Sequence, residues 1–179
     1  WEITFASAAA ESEFAVDLSE IGVKQVSVKM NSSSFDDFVR ELNPQMVLFD
    51  RFMTEEQFGW RVADNCPNAL RVLDTEDLHC LRHARHQALK ENRAFSTPDL
   101  LNDHAKREIA SIYRCDISLI ISGYEMEVLK NTFKVDEALL HYLPFMLEPI
   151  SEGDQIAGLP FEERQHFVTI GNFLHPPNW

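Results

Sequence analysis

Short apolar runs alternate with segments of helical period along most of this chain. Met46-Val47-Leu48-Phe49-Asp50 and Leu70-Arg71-Val72-Leu73-Asp74 are stretches of strand length that each close on an acid. The first is unbroken, the signature of a strand buried on both faces of a parallel sheet. Asp116 to Ile121, Val23 to Val28 and the opening Trp1 to Ser7 read as further strands, and Ala138 to Tyr142 as one more before Pro144. Between them the period lengthens. Phe35, Phe38, Val39 and Leu42 share a helical face behind the polar run Asn31 to Ser34, which offers an N-cap, and Asn43-Pro44 stops that helix. Thr54 opens a second helix with Glu55 and Glu56 in its first turn, and Asn65-Cys66-Pro67 ends it. Leu78 to Lys90 and Asp99 to Tyr113 are helical, and Ser122-Gly123-Tyr124-Glu125 has the form of a capping box ahead of a helix to Phe133. Strands alternating with helices predict βαβ units and an α/β fold with a doubly wound, mostly parallel, Rossmann-like sheet.

Glu148 to Glu163 is rich in Pro, Gly and acids without a period, so it reads as a linker, and His166 to Phe173 reads as a strand entering the turn His175-Pro176-Pro177. The expected organisation is a Rossmann-like domain over 1–147, a linker over 148–165, and over 166–179 the first strand and turn of another domain. The chain opens inside a strand and closes on a turn, so both ends read as cut.

Charge narrows the partners. Lys and Arg total 16 against 29 Asp and Glu, a net charge of -13, which repels phosphate backbones and anionic lipid surfaces. No apolar stretch approaches the ~20 residues that span a bilayer. Cys66, Cys80 and Cys115 show no Cys-x-x-Cys spacing, which argues against a disulfide framework or zinc knuckle and fits a reducing, cytoplasmic setting. None of the six glycines builds a Gly-x-Gly-x-x-Gly phosphate loop, so no complete nucleotide site is legible and no cofactor is expected.

Ligands of parallel α/β sheets bind beyond the carboxyl ends of the strands. The residues there are Asp50-Arg51, the run from Asp74 through Thr75, Glu76, Asp77 and Leu78 to His79, and Ser122-Gly123. The middle group crowds carboxylates and an imidazole into one strand-to-helix turn, suited to hydroxyl recognition or proton transfer, although Asp74 or Asp77 would equally serve as a helix cap. His79, His83 and His86 share a helical face, but the interleaved Arg82 and Arg85 oppose a metal cation, and a solvated basic face is the expectation. Cys80 reads as a small buried core residue.

The run Val72 to Arg82, then Cys115 to Glu125, then Leu143-Pro144-Phe145, resembles the amino-terminal half of bacterial group 1, family 4-like, GT-B glycosyltransferases. Phe167 to Asn178 is similar to the first strand and turn of their second half. The resemblance covers nearly the whole chain and rests on the order of its motifs. It implies two Rossmann-like lobes, the first holding an acceptor and the second a nucleotide-sugar. It further implies transfer to a hydroxyl acceptor, glycan or lipid-linked, with retention of configuration. On this resemblance His79 is the candidate catalytic residue, Asp74, Glu76, Asp77 and Ser122 are acceptor-binding, and Gly171 and Asn172 belong to the donor cleft. A strand and glycine-bearing loop of the family have no counterpart ahead of Trp1, and its donor domain has none after Trp179, so this chain alone is expected to be inactive. Phe167 to Phe173 is expected to fill the place of the missing central strand, within the chain or in a strand-exchanged homodimer. Two other classes compete: a catalytically silent interaction module, and a receiver-like signalling domain with Asp50 as phospho-acceptor.

Overall fold

The computed structural model describes residues 1–10, 13, 15–147 and 160–169. The chain divides into two units, Trp1–Leu143 and Pro144–Trp179. In the second, a single 3-10 turn spans Phe161–Glu163, and Phe167 and Val168 are fully exposed and join no strand. The remainder of the expected closing strand, including Gly171 and Asn172, lies outside the described residues.

The first unit is α/β, and every strand pairing in it is parallel. Strands β1 (Thr4–Ser7) and β2 (Lys24–Ser27) pair with each other, joined through a 3-10 turn that Asp17 caps by accepting from the Ser19 amide. Helix α1 (Ser34–Leu42) then leads to β3 (Met46–Asp50), α2 (Arg51–Asn65) and β4 (Leu70–Asp74). Helices α3 (His79–Lys90) and α4 (Asp103–Arg114) follow, then β5 (Ile117–Ile120), α5 (Gly123–Glu127) and β6 (Leu140–Tyr142). Strands β3 to β6 lie side by side in chain order. The parallel, Rossmann-like expectation holds, with the strands divided between two sheets.

Register sorts the sheet faces. Phe49, Leu73, Ser118 and Leu140 lie in one row across β3 to β6 and are buried. Phe49, Leu73 and Leu140 form one core with Phe58 and Val62 of α2, Leu81 and Ala84 of α3 and Ile112 of α4. The opposite face carries Met46, Leu48 and Leu70, which are 45%, 56% and 40% exposed. Burial on both faces of β3, which its apolar run predicts, is therefore corrected: among the described residues its outer edge meets no strand, and only Phe49 of the run is buried.

Local signals mark the helix ends with mixed accuracy. Asn43 stops α1 in the left-handed conformation at φ 43°, but the N-cap Ser33 makes no side-chain cap bond. Helix α2 starts at Arg51, ahead of the predicted Thr54, because Phe52 joins Glu55, Phe58 and Val62 on its buried stripe. The predicted helix from Asp99 divides into a 3-10 turn over Thr97–Leu100 and α4, whose cap is Asn102, accepting from the Ala105 amide at 3.1 Å. The helix after Ser122 passes into a π turn over Val128–Thr132.

Candidate functional site

The carboxyl ends of β3 and β4 are held at the same level by the pairing Asp50 with Asp74. Both strands leave the sheet through a residue with positive φ, Arg51 at 65° and Glu76 at 55°. A non-glycine residue there stores roughly 1 kcal/mol or more of strain, which persists only where surrounding contacts over-determine the turn. Those contacts are present. The Arg51 guanidinium donates to both oxygens of Asp50, at 3.1 and 3.2 Å, and lies 3.4 Å from the Glu76 carboxylate. Asp74 accepts from the Glu76 amide at 3.1 Å, and Thr75 is buried, its hydroxyl donating to the Leu119 carbonyl at 2.9 Å.

The turn delivers His79 to the start of α3, where two buried carboxylates meet the first free N–H groups of the helix. Glu125 accepts from the Leu78 amide at 3.0 Å, and Glu108 accepts from the His79 amide at 2.6 Å and the Cys80 amide at 2.8 Å. A helix amino terminus favours such anions through its unpaired N–H groups and its dipole. Glu108 is 3% and Glu125 7% exposed. The capping box read at Ser122 is thereby half formed. Ser122 accepts from the Glu125 amide at 3.1 Å, while one oxygen of the Glu125 carboxylate is taken by α3 and the other, Oε2, is buried without a hydrogen-bond partner among the described residues. Burial pushes the Glu125 carboxyl above its usual range.

His79 has a side chain only 11% exposed. Its Nδ1 lies 3.2 Å from the Asp77 carbonyl, 3.4 Å from Glu108 Oε1 and 3.8 Å from Asp77 Oδ1. Its ring meets the Phe52 ring edge-on at 5.3 Å. Glu108 raises its pKa above the ordinary 6.5, against the opposing effect of burial. His104, one turn before Glu108, sits 4.8 Å from the His83 ring and 6.4 Å from Phe52, with Nδ1 buried and unpartnered among the described residues. Burial, then the neighbouring His83, lower its pKa below 6.5. Arg107 stacks over Phe52 at 4.8 Å and donates to both oxygens of Glu56, while Arg82 lies 3.3 Å from Asp77 Oδ2.

Of the sequence candidates, Asp74, Glu76, Asp77 and His79 share one turn, and Asp50 and Arg51 adjoin it. Ser122 is occupied by its capping bond. Two of the three histidines of α3 have different surroundings: His79 faces Glu108, and the His83 ring lies against that of His104. Arg85 lies over Tyr124 and Phe95. Among the described residues no group of three or more His, Cys, Asp or Glu is placed to hold a metal ion. Cys80 is fully buried with its thiol pKa pushed well up, and Cys115 is pushed up to about 12, both by burial, which makes them inert packing groups.

Sequence reasoning missed Phe52, Glu108, Glu125 and His104 as members of the site. One signal was available for Glu108: it lies with Ala105 and Ile112 on the buried stripe of α4, where an acid requires a partner. Comparison with known proteins finds no matching family model, no matching curated protein and no matching solved structure.

Proposed function

We propose that this chain is the acceptor-side half of a nucleotide-sugar-dependent GT-B glycosyltransferase and holds a hydroxyl-bearing acceptor over the carboxyl ends of β3 and β4. The observation that carries this reading is the seating of His79: its ring rests on Phe52 and against Glu108 at the end of a parallel strand, with Nδ1 engaged and Nε2 without a protein partner among the described residues. In the transfer, the acceptor oxygen bonds to the anomeric carbon of the sugar. The bond from that carbon to the diphosphate breaks with its electron pair leaving on the diphosphate, and the acceptor proton passes to His79 Nε2. Arg51, Arg82 and Arg107 are each engaged by a carboxylate, so the surroundings favour a polyhydroxyl acceptor over a phosphate-bearing one. The donor side, with Gly171 and Asn172, rests on the resemblance alone. A cytoplasmic setting is part of the proposal, supported by three free and buried cysteines; among the described residues no helix is long and apolar enough to cross a membrane.

Amide spectra of the chain titrated with simple glycosides test the reading. Shifts are expected at Arg51, Glu76 and His79, and nucleotide-sugars are expected to produce neither shifts nor turnover. Turnover by this chain alone, or saccharide shifts confined to the amino ends of the strands, would contradict it. A second reading, a catalytically silent interaction module, is favoured by the exposed apolar face of β3 and by its outer edge, which pairs with no strand among the described residues.

A further inference from the structure

The geometry points to Glu108 as a positioning residue that, with the Asp77 carbonyl, fixes neutral His79 as the Nδ1–H tautomer and leaves the Nε2 lone pair as the base that receives the acceptor proton. This deepens the glycosyltransferase reading and its catalytic meaning rests on it; the tautomer itself does not.

The groups facing Nδ1 set the tautomer through their hydrogen-bonding capacity. Around Nδ1 stand the Asp77 carbonyl oxygen at 3.2 Å, Glu108 Oε1 at 3.4 Å and Asp77 Oδ1 at 3.8 Å. A carbonyl oxygen can only accept, and carboxylate oxygens likewise present lone pairs. An unprotonated Nδ1 would aim a lone pair at all of them in a site that is largely closed to water, whereas a proton there gives each an attractive contact. Nδ1 is consequently the donor, and Nε2 the atom free to exchange a proton.

Glu108 is well fixed for this task. Both of its oxygens accept backbone N–H groups at the start of α3, so the carboxylate cannot swing away without stranding the His79 and Cys80 amides. The remaining groups around the ring are Phe52 from α2, with Arg107 of α4 stacked over the Phe52 ring, His104 from α4 beside Phe52, and Arg82 from α3, drawn toward Asp77. Arg82 opposes protonation of His79, Asp77 and Glu108 favour it, and Glu108 has the largest effect. A carboxylate behind an imidazole also stabilises the imidazolium formed on proton uptake, the division of labour seen in acid–imidazole catalytic pairs. After transfer, the proton on Nε2 returns to solvent.

The test is read in the chain as it stands, without donor or acceptor. Ring nitrogen shifts of His79, assigned by their loss in His79→Gln, are recorded above the titration midpoint. A protonated Nδ1 with an unprotonated Nε2 is expected; a neutral ring carrying its proton on Nε2 would overturn the proposal. In Glu108→Gln the His79 midpoint should fall by about one pH unit, and an unchanged midpoint would equally overturn it. Should Glu108→Gln fail to fold, the wild-type tautomer decides. Because neither measurement involves a sugar, failure here leaves the glycosyltransferase proposal standing with a different base, and absence of glycoside binding leaves the tautomer standing.

Discussion

His79 and His104 flank the same Phe52 ring, yet their environments push their titrations in opposite directions. Protonation of His79 is favoured in the folded state, so its contribution to stability is complete below 6.5 and is lost as pH rises through the raised folded value. Protonation of His104 is disfavoured by burial, so its contribution is present above 6.5 and is lost as pH falls through the lowered folded value. Denaturant midpoints measured on both sides of 6.5 should show His79→Gln removing the alkaline loss and His104→Gln removing the acid loss. At the same scale, Gly59 of α2 is needed for space: a Cβ there would overlap the carboxylate of Glu55, which is 2% exposed and held by Arg114 through bonds of 2.5 to 3.0 Å. Gly59→Ala should cost roughly 1–3 kcal/mol, read as a lowered thermal midpoint, because neither the acid nor its arginine can retreat without losing the pair.

Helix α3 illustrates how an element can start without a local cap. Its N-cap residue is Leu78, which has no polar side chain, and Asp77 turns instead toward Arg82. The N–H groups of Leu78, His79 and Cys80 are met by Glu125 of α5 and Glu108 of α4, which tie the start of α3 to two later parts of the chain. Glu125→Ala should therefore cost roughly 1–3 kcal/mol and speed amide exchange at Leu78 specifically, since that buried N–H loses its acceptor. Ser122→Ala removes only the cap of the short helix α5, and a loss of about 1 kcal/mol is expected without a change in Leu78 exchange. The comparison separates the role of Glu125 in pinning α3 from its place in a local cap. Asn102 is a second tie of this kind: it caps α4 and also donates to the Cys80 carbonyl of α3 at 3.0 Å.

Among the described residues the outer edge of β3 pairs with no strand, and Met46 and Leu48 leave its outer face apolar and exposed. Parallel strands are ordinarily covered on both faces, and exposed edges invite pairing with other strands. Leu48, at 56% exposure, faces away from the core, so Leu48→Lys should leave stability within about 0.5 kcal/mol while lowering self-association in sedimentation at high concentration. Strong loss of stability in that variant would mean that the face is covered in solution.

The amino-acid sequence by itself determined the alternation of strands and helices, the parallel α/β class and the placing of Asp74, Glu76, Asp77 and His79 at one strand end. Each of these depends on local period, strand length and punctuation such as Asn43-Pro44, which act within a few residues. Tertiary structure alone decided that β3 pairs on one side only among the described residues, that α2 begins at Arg51, and that Glu108 and Glu125 hold the helix carrying His79. The last of these depends on contacts between residues 28, 29 and 47 positions apart in the chain. A periodic pattern can mark an acid on a buried stripe, as at Glu108, but only the packed arrangement of α3, α4 and α5 selects the N–H groups that it meets.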